Sequence, residues 1–127
     1  MDQQEIITKV RQCVAVALGR DEDEVQLESV LSRDLEAESI DYLDITFQLE
    51  KEFDITIQKD ELFPTKLFQD EANVADGMVT EQGLALLREK LPFADIDSFA
   101  ADPSVVKVPE LFTVDALVKF VATKVNG

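Results

Sequence analysis

The chain has 127 residues, 46% of them hydrophobic, which suits one domain with a modest core and is too short for two typical domains. A formal net charge of -15, from 27 acidic and 12 basic residues, would repel nucleic acid and anionic lipid, so basic protein patches are the expected partners. Cys13 is the single cysteine and there is no histidine, which excludes an intrachain disulfide, the usual catalytic triads and nitrogen or sulfur metal sites.

The N-terminus carries no targeting or membrane signal. Residues 1–5 lack the basic start and apolar run of a signal peptide. No apolar stretch approaches the roughly 18 residues of a membrane span. We therefore expect a monomeric, cytoplasmic protein without stable membrane insertion.

The first segment is predicted to be a helix from about Glu5 to Leu18 that ends at Gly19. Apolar residues return in it at three- and four-residue intervals, and Asp2 with Glu5 fits a capping box. Cys13 lies on its apolar side and is predicted to be inert core. Residues 20–37 are polar with isolated apolar residues, which predicts a loop pinned onto the core.

The second helix is predicted over residues 39–52. Residues 53–57 then alternate like a short strand or an extended connector, because branched side chains favour extended backbone. The helix carries two apolar stripes, and its polar residues Asp41, Asp44, Gln48 and Lys51 are expected to stay outside. The first stripe is Ile40, Leu43 and Phe47, and the flanking one is Ile45 and Leu49.

The stretch from residue 59 to residue 110 has a looser pattern and contains all four prolines. A helix is predicted over residues 80–91, although Gly83 weakens it. Residues 93–108 are predicted to form an ordered loop wrapped on the core, because they carry too many large apolar groups for a linker. The last helix is predicted to begin at the cap Thr113. Its apolar side consists of Val114, Leu117, Val118, Val121 and Val125.

Ser39 stands at the predicted start of the second helix, among carboxylates. A hydroxyl in such a setting, without histidine to activate it, is a poor nucleophile, so another enzyme is expected to attach a group there. The alternative is an ordinary N-cap serine. Residues 34–54 hold eight acids and one lysine, and a basic partner could relieve their repulsion. We therefore expect a docking face rather than a merely solvated one, made of Asp34, Glu38, Asp41 and Asp44.

Several of these features together resemble an acyl carrier protein. They are a helix ending in Leu18-Gly19, a long pinned loop, an Asp-Leu pair followed by an acidic residue, serine and aliphatic residue, and an acidic helix running into residues 52–55. Residues 112–117 resemble the start of that family's last helix. The resemblance covers about residues 5–58 and 111–125. Residues 40–47 and part of the inserted stretch are also similar to specialised carriers of hydroxylated very long acyl chains for lipid A.

The resemblance implies a covalent 4'-phosphopantetheine on Ser39, whose thiol carries the acyl group as a thioester. It also implies two kinds of partner: a phosphopantetheinyl transferase, and acyl-transferring or fatty-acid synthesis enzymes with basic docking patches. Two positions depart from the family pattern, since Glu38 replaces the usual aspartate and Glu36 stands where glycine is common. These departures favour a specialised carrier over a housekeeping one.

The sequence thus predicts an all-α, acyl-carrier-protein-like helical bundle over residues 1–127, with three long, nearly antiparallel helices and an extended, partly helical insertion at about 59–110. We expect a carrier of long or modified acyl chains that performs no chemistry. The alternatives are a non-acylated acidic interaction module with this fold and, more remotely, a glycosidase-like carboxylate pair. The insertion is expected either to lengthen the acyl-chain shelter or to cap a small core. The predicted shelter residues are Ile6, Val10, Leu43, Phe47, Leu117 and Val121.

Overall fold

The computed structural model describes residues 2–58, 61, 62, 66–91 and 93–126, with the backbone alone at Ser39 and Lys66. Three long helices dominate it, and the first packs against each of the other two. No helix in these ranges is long and apolar enough to cross a membrane. The helices are α1 Gln3–Leu18, α2 Leu31–Asp34, α3 Ser39–Phe53, α4 Glu81–Lys90, α5 Ile96–Ala100 and α6 Val114–Asn126, and the strands are β1 Val74–Ala75 and β2 Met78–Val79.

Helix α1 ends at Leu18, as predicted, and begins at Gln3, two residues before the predicted start. The carboxylate of Asp2 accepts a hydrogen bond from the backbone N–H of Gln4, and Gly19 ends the helix in the left-handed conformation at φ 65°. The following loop is pinned to the core, as predicted. Arg11 holds it by donating to the backbone carbonyls of Val25, at 2.7 Å, and Glu22, at 2.9 Å.

Helix α3 buries only one of its two apolar stripes. Ile45 and Leu49 are fully buried, and Phe53 continues their row at four-residue spacing. The stripe of Ile40, Leu43 and Phe47 is exposed, so the predicted shelter residues Leu43 and Phe47 do not line the bundle interior. Periodicity alone could not choose between two apolar stripes on one helix. The exposed fractions are 72% for Ile40, 73% for Leu43 and 62% for Phe47.

Residues 59–110, which we call the insertion, contain more regular structure than the sequence predicts. β1 and β2 pair in a small antiparallel hairpin, with Val74 opposite Val79, and this hairpin was not predicted. The helix predicted over residues 80–91 is confirmed as α4, which Thr80 caps by accepting from the N–H of Gly83. A Cβ on Gly83 would lie 2.4 Å from the carbonyl oxygen of Asn73. Glycine at position 83 therefore allows the helix to pack closely against the backbone at Asn73.

The insertion and the long helices share one hydrophobic cluster. The predicted wrapping of residues 93–108 is confirmed, and it contains α5 and the start of a 3₁₀ turn at Val105–Leu111. Two further 3₁₀ turns lie at Glu22–Glu24 and Lys66–Gln69. The connector at residues 55–58 has no strand. Buried members of the cluster from the insertion include Leu67, Val79, Leu87, Leu91, Ile96 and Phe99.

Candidate attachment site and docking face

Ser39 is the first helical residue of α3, and Glu38, in extended conformation, is its N-cap. The alternative of Ser39 as an ordinary N-cap is therefore wrong. Residues at this position precede the first hydrogen-bonded turn, whose backbone N–H groups lack helical partners. These N–H groups and the helix dipole favour a negatively charged group at the helix start. The α3 backbone therefore suits a phosphate attached at Ser39.

Two of the four carboxylates predicted to dock partners also stabilise helix ends. Asp41 is half-buried and accepts a hydrogen bond from the backbone N–H of Glu38 at 2.8 Å. Asp34 accepts one from the N–H of Val30, also at 2.8 Å, and this bond chiefly lowers the pKa of Asp34 below its usual value. Asp41 and Asp34 are thus already partly engaged within the fold.

Glu38 and Asp44 lie exposed on the same helix. Among the described residues, neither they nor Asp41 form an ion pair with a lysine or arginine. Their negative charge is consequently open to a basic partner.

The exposed apolar side chains of α3 lie among these acids. Ile40 directly follows Ser39, and Leu43 and Phe47 follow at three- and four-residue spacing, which keeps them on one side of the helix. Contiguous exposed apolar groups rimmed by charge are typical of protein interaction surfaces. We call Glu38, Ile40, Leu43, Asp44 and Phe47 the α3 face. Sequence reasoning missed its apolar part, because both stripes of α3 are apolar and their spacing does not show which one is buried.

The segment before Ser39 is fixed in place by Arg20. Its guanidinium donates to the carbonyl of Leu35 at 3.1 Å and lies 2.9 Å from a carboxylate oxygen of Glu24 and 3.6 Å from one of Glu36. Glu36 has φ 57°, in the left-handed region that favours glycine. The backbone conformation at this position would therefore suit glycine, and Glu36 adopts it at a cost in free energy.

The bundle interior brings four of the six predicted shelter residues together. Ile6 and Val10 of α1 and Leu117 and Val121 of α6 are fully buried. Ile45 and Leu49 contribute the α3 side of the core in place of Leu43 and Phe47.

Cys13 also belongs to the core, where its thiol donates to the carbonyl of Gln48 at 3.6 Å. Burial raises the pKa of this thiol to about 11. Because the thiolate is the reactive form, Cys13 is unreactive near neutral pH, as predicted. The described residues contain no group of three or more histidine, cysteine, aspartate or glutamate side chains that could hold a metal ion.

The start of α6 lies at the Ser39 end of the bundle. The backbone N–H of Leu31 donates to the carbonyl of Phe112 at 3.0 Å, and Val30 forms an isolated β-bridge with Thr113. The rings of Phe112 and Tyr42, which is in the first turn of α3, have centroids 6.4 Å apart. Burial raises the pKa of Tyr42. These contacts join α2, α3 and α6 close to the candidate attachment position.

Comparison with known proteins identifies the family. The family model for the phosphopantetheine attachment site matches residues 8–66. The acyl carrier protein of Petrotoga mobilis is 34% identical over 97 residues, which cover 76% of this chain and 100% of that protein. The chain belongs to the acyl carrier protein family. The acyl carrier proteins of Rubrobacter xylanophilus and Borrelia garinii are 39% and 38% identical over 61 residues, covering 48% of this chain and 75% and 76% of theirs. No solved structure is significantly similar to the chain.

Membership of this family has direct consequences for the biochemistry. The chain is an acyl carrier protein with a phosphopantetheine attachment domain, and a carrier rather than an enzyme. Its cofactor is covalent 4'-phosphopantetheine. Its partners in general are a phosphopantetheinyl transferase and enzymes that handle acyl groups.

Proposed function

We propose that Ser39 carries the 4'-phosphopantetheine and that this single-domain protein is a specialised carrier of long or modified fatty acyl chains. The observation that carries the proposal is the position of Ser39 at the first residue of α3, within the matched residues 8–66. Its phosphate would lie beside the unpaired N–H groups of the helix start. Arg20 and the Glu38–Asp41 hydrogen bond hold the backbone on both sides of it.

The α3 face is proposed as the docking surface for the transferase and for acyl-handling enzymes with basic patches. Its carboxylates Glu38 and Asp44 would steer the encounter, because exposed charges act mainly on association rates. Asp41 of the same helix and Asp34 of α2 would add to this negative charge. Its apolar side chains, Ile40, Leu43 and Phe47, would then be buried by the bound partner. Such encounters are expected to take place in the cytoplasm.

The bundle interior is proposed as the shelter of the acyl chain. The side chains that would move apart to admit it are those fully buried between α1, α3 and α6. Entry of the chain would be favourable, because transfer of each methylene from water contributes about 0.8 kcal/mol. The side chains that would move are Ile6, Val10, Ile45, Leu49, Leu117 and Val121. The insertion continues the same hydrophobic cluster, which supports a longer shelter and hence longer chains. Phe63 is an apolar residue of the insertion from which the sequence predicts the same role, and it lies outside the described residues.

Mass spectrometry after incubation with coenzyme A and a broad-specificity phosphopantetheinyl transferase tests the attachment. The wild-type protein should gain the mass of one phosphopantetheine group, and Ser39→Ala should gain none. Ser39→Ala should keep its stability within about 0.5 kcal/mol, because Glu38 rather than Ser39 is the N-cap.

Ser29→Ala is the matched control, because Ser29 lies on the loop before α2 and should leave loading unchanged. A mass gain that persists in Ser39→Ala would contradict the assignment. The absence of any gain in a folded wild-type protein would favour the non-acylated interaction module.

A further inference from the structure

A cavity lies between the C-terminal part of the insertion and the last helix. It has a volume of about 390 Å³, is partly open to solvent and is bordered by α5, the 3₁₀ turn Val105–Leu111 and the first half of α6. This volume falls within the range of sites for drug-sized molecules, about 300–1,000 Å³. Its apolar walls are Phe93, Ala94, Phe99, Leu111 and Ala116.

The cavity adjoins the Ser39 end of the bundle. Leu111 and Thr113, which line it, are the two neighbours of Phe112, whose ring contacts Tyr42 in the first turn of α3. Glu110 also lines it and forms an ion pair of 3.1 Å with Arg33 of α2. The cavity wall is thus in direct contact with α2 and is linked through Phe112 to the first turn of α3, which contains the candidate attachment position.

The charged residues around the cavity determine which kind of ligand it would favour. Four carboxylates and two ammonium groups line it, which leaves two net negative charges and disfavours an anion. An acyl tail would desolvate these groups without giving them hydrogen bonds, at a free-energy cost. A neutral group with amides, a hydroxyl and methyls can bond to the charged rim and cover the apolar walls. The six charged residues are Asp95, Asp102, Lys107, Glu110, Asp115 and Lys119.

We propose that this cavity receives the pantetheine part of the prosthetic arm, so that the holo protein holds its own thiol end against the insertion between encounters. Pantetheine carries two amides, a hydroxyl and two geminal methyl groups and has no charge, which is the chemistry that the walls and rim favour. Its amide N–H groups would donate to the carboxylates, and its carbonyls would accept from Lys107 or Lys119. The inference rests on the proposal that Ser39 carries the arm.

Isotope-filtered NMR of the holo protein tests this docking directly. An unlabelled arm is loaded onto ¹³C,¹⁵N-labelled protein, and NOEs are recorded from the geminal methyl protons of pantetheine. We expect NOEs to the ring of Phe99 and to the methyl groups of Ala94 and Ala116. Arm NOEs to α3 alone, or no arm NOEs, would overturn the inference. The mass of the same sample separates the two proposals, since a missing mass gain contradicts attachment whereas a loaded arm without these NOEs contradicts only the docking.

A variant pair gives a second readout through the thiol. Ser98 lines the cavity, and Ser98→Trp should fill it from the rim, whereas its neighbour Asp97, with an 89% exposed side chain, does not line it and Asp97→Trp serves as the control. The reaction of the arm thiol with a disulfide reagent scales with the undocked fraction, so a tenfold excess of docked arm slows it about tenfold. Ser98→Trp should remove this protection and Asp97→Trp should keep it. Equal rates in wild type and Ser98→Trp would contradict the docking, and the wild-type NOEs decide the matter if Ser98→Trp does not fold.

Discussion

Helix α3 exposes one row of large apolar side chains, whereas most large apolar side chains described in the insertion are buried or half-buried. Ile40, Leu43 and Phe47 lie open to solvent beside the candidate attachment position, while Leu87 and Phe99 of the insertion join the common core. The first set has no use in stabilising the free protein, and the second set has a direct one. The exposed row of α3 is therefore available to a partner, whereas Leu87 and Phe99 stabilise the fold.

Alanine substitutions in each region test this difference between α3 and the insertion. Leu87→Ala removes a fully buried side chain of α4 and should lower the free energy of unfolding by about 2–5 kcal/mol. Ile45→Ala in α3 should cost a similar amount, because Ile45 is equally buried. Phe47→Ala, at an exposed position, should change it by less than about 0.5 kcal/mol. Denaturant titration measures the free energy of unfolding of all three variants. A negligible effect of Leu87→Ala would show that the insertion does not contribute to the core.

Glu36 offers a test of strain at the boundary of the attachment segment. Glu36→Gly should raise the free energy of unfolding by about 1 kcal/mol, because a non-glycine residue at φ 57° pays a left-handed penalty of about 1–2 kcal/mol. The lost ion pair with Arg20 is exposed and contributes little.

Glu38→Gly is the matched control for that variant, because Glu38 has φ -107° and carries no such strain. It should give no gain in the free energy of unfolding. Equal gains in the two variants would show that the left-handed backbone at residue 36 is not the cause.

Acyl chains of increasing length test whether the proposed shelter extends under the insertion. Each methylene sheltered by the bundle or the insertion should add about 0.8 kcal/mol to the stability of the acylated protein. Melting temperatures should therefore keep rising with chain length on Ser39 if the shelter extends under the insertion. Replacing Leu84 and Leu87 by alanine should flatten that rise for long chains only. A plateau at short chains in both proteins would leave the insertion as a scaffold.

The long elements were predictable from the sequence because their signals are local. Asp2 and Gly19 mark the ends of α1, and Thr113 marks the start of α6, where its hydroxyl accepts from the N–H of Ala116. The inward stripe of α3 was not predictable from periodicity, because both stripes are apolar and only packing against α1 selects one. The hairpin at residues 74–79 has strands of two residues each, too short to show an alternating pattern.

The sequence predicts the residues of the candidate site but not the long-range contacts around it. The position of Ser39 at a helix start and the acids near it can be read from the chain. The ring contact of Tyr42 with Phe112 joins residues more than 50 positions apart. Such contacts depend on how the helices pack, which one sequence does not specify locally.

The smallest expected effect concerns the charge of the α3 face. Asp44→Lys should slow loading by the transferase by about 0.2–1 kcal/mol in activation free energy, or up to about fivefold, because an exposed charge is partly screened by water and salt. The loss should appear in the association rate and shrink as ionic strength rises. Glu71→Lys makes the same charge change at an exposed position of the insertion and should have a smaller effect, since Glu71 lies outside the α3 face. Loading rates are measured across a salt series. Equal slowing by both variants would show that the net charge of the protein, rather than the α3 face, controls loading. A wild-type loading rate that does not change with salt would contradict electrostatic steering.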